Sequence, residues 1–119
     1  MSLVECIPNV REGRRPEVIR ACAAAVTGAG AMLLDQSSDA DHNRSVFTFA
    51  GREAEVRAAV HALVDVAVRA IDMRSHTGVH PRMGAVDVVP FVPLGSTSLE
   101  DCARIARDVG AELAARHGL

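Results

Sequence analysis

The sequence predicts a mixed α/β domain of the α+β kind, with helices covering one face of a sheet and leaving the other face open. Three observations predict it. Short runs enriched in β-branched and aromatic residues alternate with longer segments whose apolar residues recur every three or four positions. Glycine and proline punctuate the junctions between the two kinds of segment. The chain has 119 residues, 49% of them apolar, which suits one domain with one core.

The elements follow in order. Leu3 to Ile7 is a mostly apolar run closed by Pro8-Asn9 and predicts a first strand. Val10 to Arg15 is polar around Gly13 and predicts a loop. Pro16 suits the first turn of a helix, and Glu17 to Val26 continues it, with Val18, Ile19, Cys22 and Ala25 as the inward stripe. Gly28 and Gly30 end that helix. Ala31 to Leu34 and Arg44 to Ala50 predict two strands of a wide hairpin, with the polar run Asp35 to Asp41 between them and Gly51 closing it. Glu53 to Met73 has the strongest helical period: Val56, Val60, Leu63, Ala67 and Ile71 mark the buried side, and Glu53, Glu55, Arg57 and Arg69 the other. Arg74 to Gly84 reads as a loop. Ala85 to Val92 predicts a fourth strand, in which Pro90 implies an edge, a bulge or the strand's end. Thr97-Ser98-Leu99-Glu100 offers a capping box for a last helix to about Ala115.

The resulting order, β-α-β-β-α-β-α, is the split βαβ, ferredoxin-like sandwich with an extra C-terminal helix. His117-Gly118 reads as a helix C-cap whose natural sequel is another strand. That points to a fragment, or to half of a larger fold.

Composition narrows the function classes. Net charge is −2, from 13 basic and 15 acidic residues, so the overall basic excess of a nucleic-acid binder is missing; Arg11, Arg14 and Arg15 form one local basic cluster. Trp and Tyr are absent and Phe numbers 3, which leaves little for stacking bases. Cys6, Cys22 and Cys102 are widely spaced and form no Cys-x-x-Cys pair; they read as reduced, buried small hydrophobes. The N-terminus lacks a signal-peptide layout and no apolar run is long enough for a membrane span, so the cytoplasm is the expected location. Phosphate-loop, dinucleotide and nucleophile-elbow motifs do not occur.

Polar clusters interrupt the apolar pattern at element ends, where ligand sites gather. They are Pro8-Asn9 with Glu12-Gly13, the run Asp39 to Arg44, the run Asp72 to His76, and Gly78-Val79-His80-Pro81-Arg82-Met83-Gly84. His80 is the best candidate for chemistry: imidazole moves protons near neutral pH, and here it is framed by glycines and followed by proline. On the residues alone, an ordinary loop histidine is the commoner reading. The Asp39 to Arg44 run suits a polar ligand such as an amino acid or an amidine, and equally suits a solvated hairpin tip. Asp39, Asp41 and His42 lack the spacing of a metal site, so no metal is expected.

Several of these stretches, in this order, resemble the formiminotransferase family. They are Leu3-Val4-Glu5-Cys6-Ile7-Pro8-Asn9 with Glu12-Gly13, Asp41-His42-Asn43-Arg44-Ser45-Val46-Phe47-Thr48-Phe49, Ile71-Asp72-Met73-Arg74, and above all Gly78 to Phe91. The resemblance spans nearly the whole chain, as the N-terminal subdomain of a longer transferase unit with two similar subdomains and folate between them. It implies a ferredoxin-like fold and folate-dependent transfer of a formimino group from N-formimino-L-glutamate to tetrahydrofolate, a step of histidine degradation. It implies His80 as the catalytic acid/base, and Asn9, Asp41, Asn43, Arg44, Arg82, Met83 and Gly84 as substrate-binding residues. Ser37 stands where family members often carry an acid. A partner supplying the missing subdomain, or a homodimer, is expected, and the isolated chain is expected to be inactive. The competing readings are a non-catalytic folate or amino-acid binding module and an interaction module that dimerises through an unfinished sheet edge.

Overall fold

A computed structural model describes residues 2–72, 85–86 and 89–117. The elements are β1 (Ser2–Cys6), β2 (Asn9–Val10), α1 (Pro16–Gly28), β3 (Met32–Asp39), β4 (Arg44–Gly51), α2 (Glu53–Asp72), β5 (Phe91–Gly95) and α3 (Leu99–His117). All pairings are antiparallel: β3 with β4, β4 with both β1 and β2, and β1 with β5. Because β1 and β2 lie end to end along β4, the sheet reads β3, β4, β1/β2, β5 across. This is the expected α+β, ferredoxin-like arrangement.

Three strand boundaries differ from the sequence reading, each for a backbone reason. The first strand stops at Cys6, before Pro8 as expected, but pairing resumes beyond it in β2, where the sequence reading placed no strand. Cys6 pairs with Phe49 and Asn9 with Val46, so the register runs straight through. Proline has no N–H to donate, which splits the ladder in two; its carbonyl still accepts the Phe47 N–H at 3.2 Å. The run Asp35 to Asp39, read as part of the hairpin tip, is the second half of β3, with a register shift between Leu33 and Asp35. Backbone pairing with β4 satisfies its amides, so its polar side chains need only solvent. The fourth strand begins at Phe91 rather than Ala85, although Val86 makes an isolated bridge to Val10 and Pro90 accepts the Ile7 N–H. Pro90 thus stands immediately before the strand.

Alternation sorts the side chains. Val4, Cys6, Pro8 and Val10 are buried, as are Ser45, Phe47 and Phe49 of β4. They face Val18, Cys22 and Val26 of α1 and the buried stripe of α2, which includes Val56, Val60, Leu63 and Ala67. Val26, not Ala25, completes the α1 stripe. Phe47 and Phe49 are the largest fully buried side chains; truncating a buried Phe typically costs about 3–5 kcal/mol. Leu3, Glu5, Asn9, Val46, Thr48 and Ala50 fall on the opposite, half-exposed face.

The last helix adds what periodicity did not show. Its cap is Ser98, one residue beyond the predicted Thr97. Ser98 Oγ accepts the Asp101 N–H and Asp101 Oδ2 accepts the Ser98 N–H, a reciprocal capping box. Cys102, Ile105 and Val109 are buried, and a ladder of charges ties α3 to α2. Arg104 grips Glu53 with both terminal nitrogens, Arg57 reaches Glu53 and Glu112, and Arg116 grips Asp65. Glu53 and Arg57, placed on the solvent side of α2 by the sequence pattern, therefore meet another helix.

The Arg104 guanidinium, opposed by burial and helped by Arg57, holds the Glu53 carboxyl down from 4.5 to about 2. A lowered folded-state pKa stabilises the fold above the unfolded value, and the gain is lost as pH falls through the folded one. Glu53→Gln should therefore lower the urea unfolding midpoint at pH 6 by the equivalent of about 1 kcal/mol or less, since the pair is partly solvated. The difference should close between about pH 4.5 and pH 2. A gap that persists at pH 2 would place the effect elsewhere than in the charge.

Candidate functional site

The site grows from the contact between residues 9–15 and the β3–β4 turn. Asp39 starts the turn: its Oδ1 accepts the Asp41 and His42 N–H groups, and its Oδ2 meets His42 Nδ1 at 2.5 Å. The His42 contact, together with those amides, holds the Asp39 carboxyl below its usual range. Asn43 sits at φ 53°, a left-handed conformation that Asn tolerates better than most residues. That geometry aims Asn43 Oδ1 at the Gly13 N–H, 2.9 Å away.

Gly13 is there because nothing larger fits. A Cβ on it would lie 2.4 Å from Asp39 O and 2.5 Å from Arg44 N, both backbone atoms. Around this contact the loop is fastened on both sides. Ser45 Oγ donates to the Glu12 carbonyl, and Arg14 donates from Nε to Ala40 O and from Nη2 to Asp41 O.

Glu12 is 1% exposed, the one buried acid among the described residues. Its Oε1 accepts Arg15 Nε at 2.8 Å and its Oε2 accepts the Arg14 and Arg15 N–H groups. Burial pushes its pKa up, but the Arg15 side chain and the two amides outweigh this and leave it lowered. Arg15 Nη2 reaches on to Ala70 O in the last turn of α2, at 3.2 Å. A guanidinium there donates to a helix-end carbonyl and complements the helix dipole. The segment before β5 is tied in as well, since the Arg11 N–H donates to Ala85 O at 2.9 Å.

The sequence-named residues divide accordingly. Asn9 lies half-exposed on the open face, cross-strand from Val46; Ser37 is opposite Val46 on its other side. Arg44, opposite Asp39, is exposed on that same face. Asp41 is exposed at the turn, and Asn43 serves partly as a fastener. His80, Arg82, Met83 and Gly84 lie outside the described residues. Of the basic cluster inferred from Arg11, Arg14 and Arg15, Arg15 is paired with Glu12 and Arg14 donates to backbone carbonyls of the turn. Glu12 was singled out with Gly13 as a polar cluster, but its burial and its pairing with Arg15 were not read. Its one local signal is an acid three residues before an arginine, with Gly13 between them. The described residues bring no three His, Cys, Asp or Glu side chains together as a metal site, and none of their helices is long and apolar enough to cross a membrane.

Comparison with known proteins places this arrangement. A family model described as the formiminotransferase domain, N-terminal subdomain, matches residues 3–119. The chain is similar to the glutamate formimidoyltransferase of Thermoplasma acidophilum, 42% identical over 100% of this chain and 40% of that protein. It is similar to the glutamate formimidoyltransferase of Streptococcus pyogenes, at 46% identity over 93% of this chain and 38% of that one. It is also similar to the formimidoyltransferase-cyclodeaminase of Sus scrofa, at 43% identity over 98% of this chain and 22% of that protein.

Proposed function

Because the chain belongs to the formiminotransferase family, as its N-terminal subdomain, we propose that it forms part of an enzyme passing a formimino group from N-formimino-L-glutamate to tetrahydrofolate. The chain spans about two fifths of the two glutamate formimidoyltransferases it matches. The reaction therefore belongs to an assembly that also holds the rest, on the same polypeptide, on a partner or on a second copy.

In this reading the folate ring amine attacks the amidine carbon, and His80 takes the proton released as the new C–N bond forms. The same imidazole returns that proton to the glutamate nitrogen as the old C–N bond breaks, so charge and atoms balance. Asn9, Asp41, Asn43 and Arg44, with Arg82, Met83 and Gly84, bind the substrates. Arg44 suits a carboxylate, and Asp41 suits a cationic amidine.

One observation carries the reading. The two chain ends that bracket residues 73–84 are both held by the Asn9–Arg15 segment, through Arg15 to Ala70 and through Arg11 to Ala85. The same segment holds the turn bearing Asp41, Asn43 and Arg44. This supports the view that the His80 segment and the turn serve one pocket at one end of the sheet.

The test is a transfer assay with calorimetric titration of tetrahydrofolate. The chain joined to the remainder of the transferase should bind folate and transfer the group, while the 119 residues alone should be silent. Folate binding without transfer would favour a non-catalytic binding module, and neither would remove the proposal.

A further inference from the structure

We propose that Glu12 and Arg15 are a positioning pair for the transfer reaction, tying the Asp39–Arg44 turn to the end of α2 so that the groups carried by the turn keep one placement relative to that helix end. The inference rests on the function proposed above and adds residues that would touch neither substrate.

The described contacts commit Glu12 to partners within the protein. Its carboxylate is 1% exposed, and both oxygens are taken by Arg15 and by two backbone amides. A stabilising role alone explains it poorly. Burying an ion pair gains little over well-packed apolar groups of the same volume, because desolvation offsets the attraction. What the pair adds is connection. On one side the Glu12–Gly13–Arg14 backbone and side chains hold Ser45, Asn43, Ala40 and Asp41. On the other, the same Arg15 that donates to Glu12 through Nε donates to Ala70 O through Nη2. A planar guanidinium reaches two acceptors at a set angle; a lysine ammonium keeps the charge but lacks that fork. Among the described residues, this guanidinium joins the loop that holds the turn to the last turn of α2.

Arg15→Lys in the full transferase is the test, with Glu12→Gln, which keeps an oxygen for the two amides, as the second variant should the first fail to fold. The thermal midpoint should stay within a few degrees of the parent. The kcat for transfer should fall about tenfold or more, with KM for both substrates within about twofold, since misplacement by an ångström far from the chemistry can cost on the order of 100-fold. A folded variant with kcat within twofold of the parent overturns the proposal. So does a loss of activity that merely follows the loss of folded protein.

If the parent itself shows no transfer, the function fails and amide chemical shifts judge the coupling on its own. Arg15→Lys should then shift the amides of residues 39–44 and of residues 68–72 together. Shifts confined to residues 12–18 would overturn it.

Discussion

Gly13→Ala should lower the thermal midpoint of this chain by about 10–15 °C, the largest stability loss expected from adding one carbon. The added Cβ would meet Asp39 O, Arg44 N and Arg44 O at 2.4, 2.5 and 2.7 Å. All three are backbone atoms of a paired hairpin, so none can swing aside as a side-chain tip would. Overpacking of this kind costs about 1–3 kcal/mol, sometimes more. Pushing the loop away also breaks the Gly13–Asn43 hydrogen bond and strains the Ser45 bond to Glu12 O, for about 1 kcal/mol each. For a domain of this size about 3 kcal/mol corresponds to roughly 12 °C. Gly110→Ala is the control. A Cβ there meets nothing within 4 Å, and alanine in a helix interior gains up to about 1 kcal/mol over glycine. Melting curves followed by circular dichroism decide the matter: a Gly13→Ala midpoint within 3 °C of the parent would mean that the loop and the turn are not in contact.

His80→Ala should reduce kcat for formimino transfer by about 10²–10⁴-fold, the usual contribution of a positioned acid/base. An imidazole titrates near neutral pH, so the parent's rate profile should carry a limb there, and that limb should vanish in the variant. Tetrahydrofolate binding, measured by calorimetry, should change little, because the role assigned to His80 is proton transfer and not ground-state contact. A variant that keeps the neutral limb would take His80 out of the mechanism and leave the imidazole of His42, held by Asp39, to be considered instead.

Much of the fold was legible because its causes are local. Helical period placed the start of α2 at Glu53, where it is found, and β-branched and aromatic enrichment placed β4. The misreadings share one source. Asp35 to Asp39 looked like a turn because its side chains are polar, yet a strand needs only backbone pairing once its side chains have water. Pro8 does end β1, because it cannot donate, yet its carbonyl still accepts and pairing resumes past it in β2, which was not read. Thr97 and Ser98 are equivalent caps on paper, and the reach of Asp101 chose Ser98.

The candidate site was legible as a set of motifs but not as an arrangement. Asn9, Asp41, Asn43 and Arg44 stood out as polar residues at element ends, and the structure keeps them at one end of the sheet. That Asn43 also fastens Gly13, and that Glu12 is buried, could not be read from neighbours in the chain. Gly13 and Asn43 are 30 residues apart, Arg15 and Ala70 are 55 apart, and Arg104 and Glu53 are 51 apart.

By itself, then, the sequence determined the order of the main elements, most of the inward stripes of α1 and α2, and the family to which the chain belongs. Period, propensity and motif are properties of short stretches, and they survive without a fold. Only the tertiary structure decided which charges are buried and which surface residues meet. A carboxylate such as Glu12 carries the same formal charge in any loop; Arg15 and the two amides that meet it are two and three residues away, but its burial depends on whether the fold packs other elements around it and keeps water away.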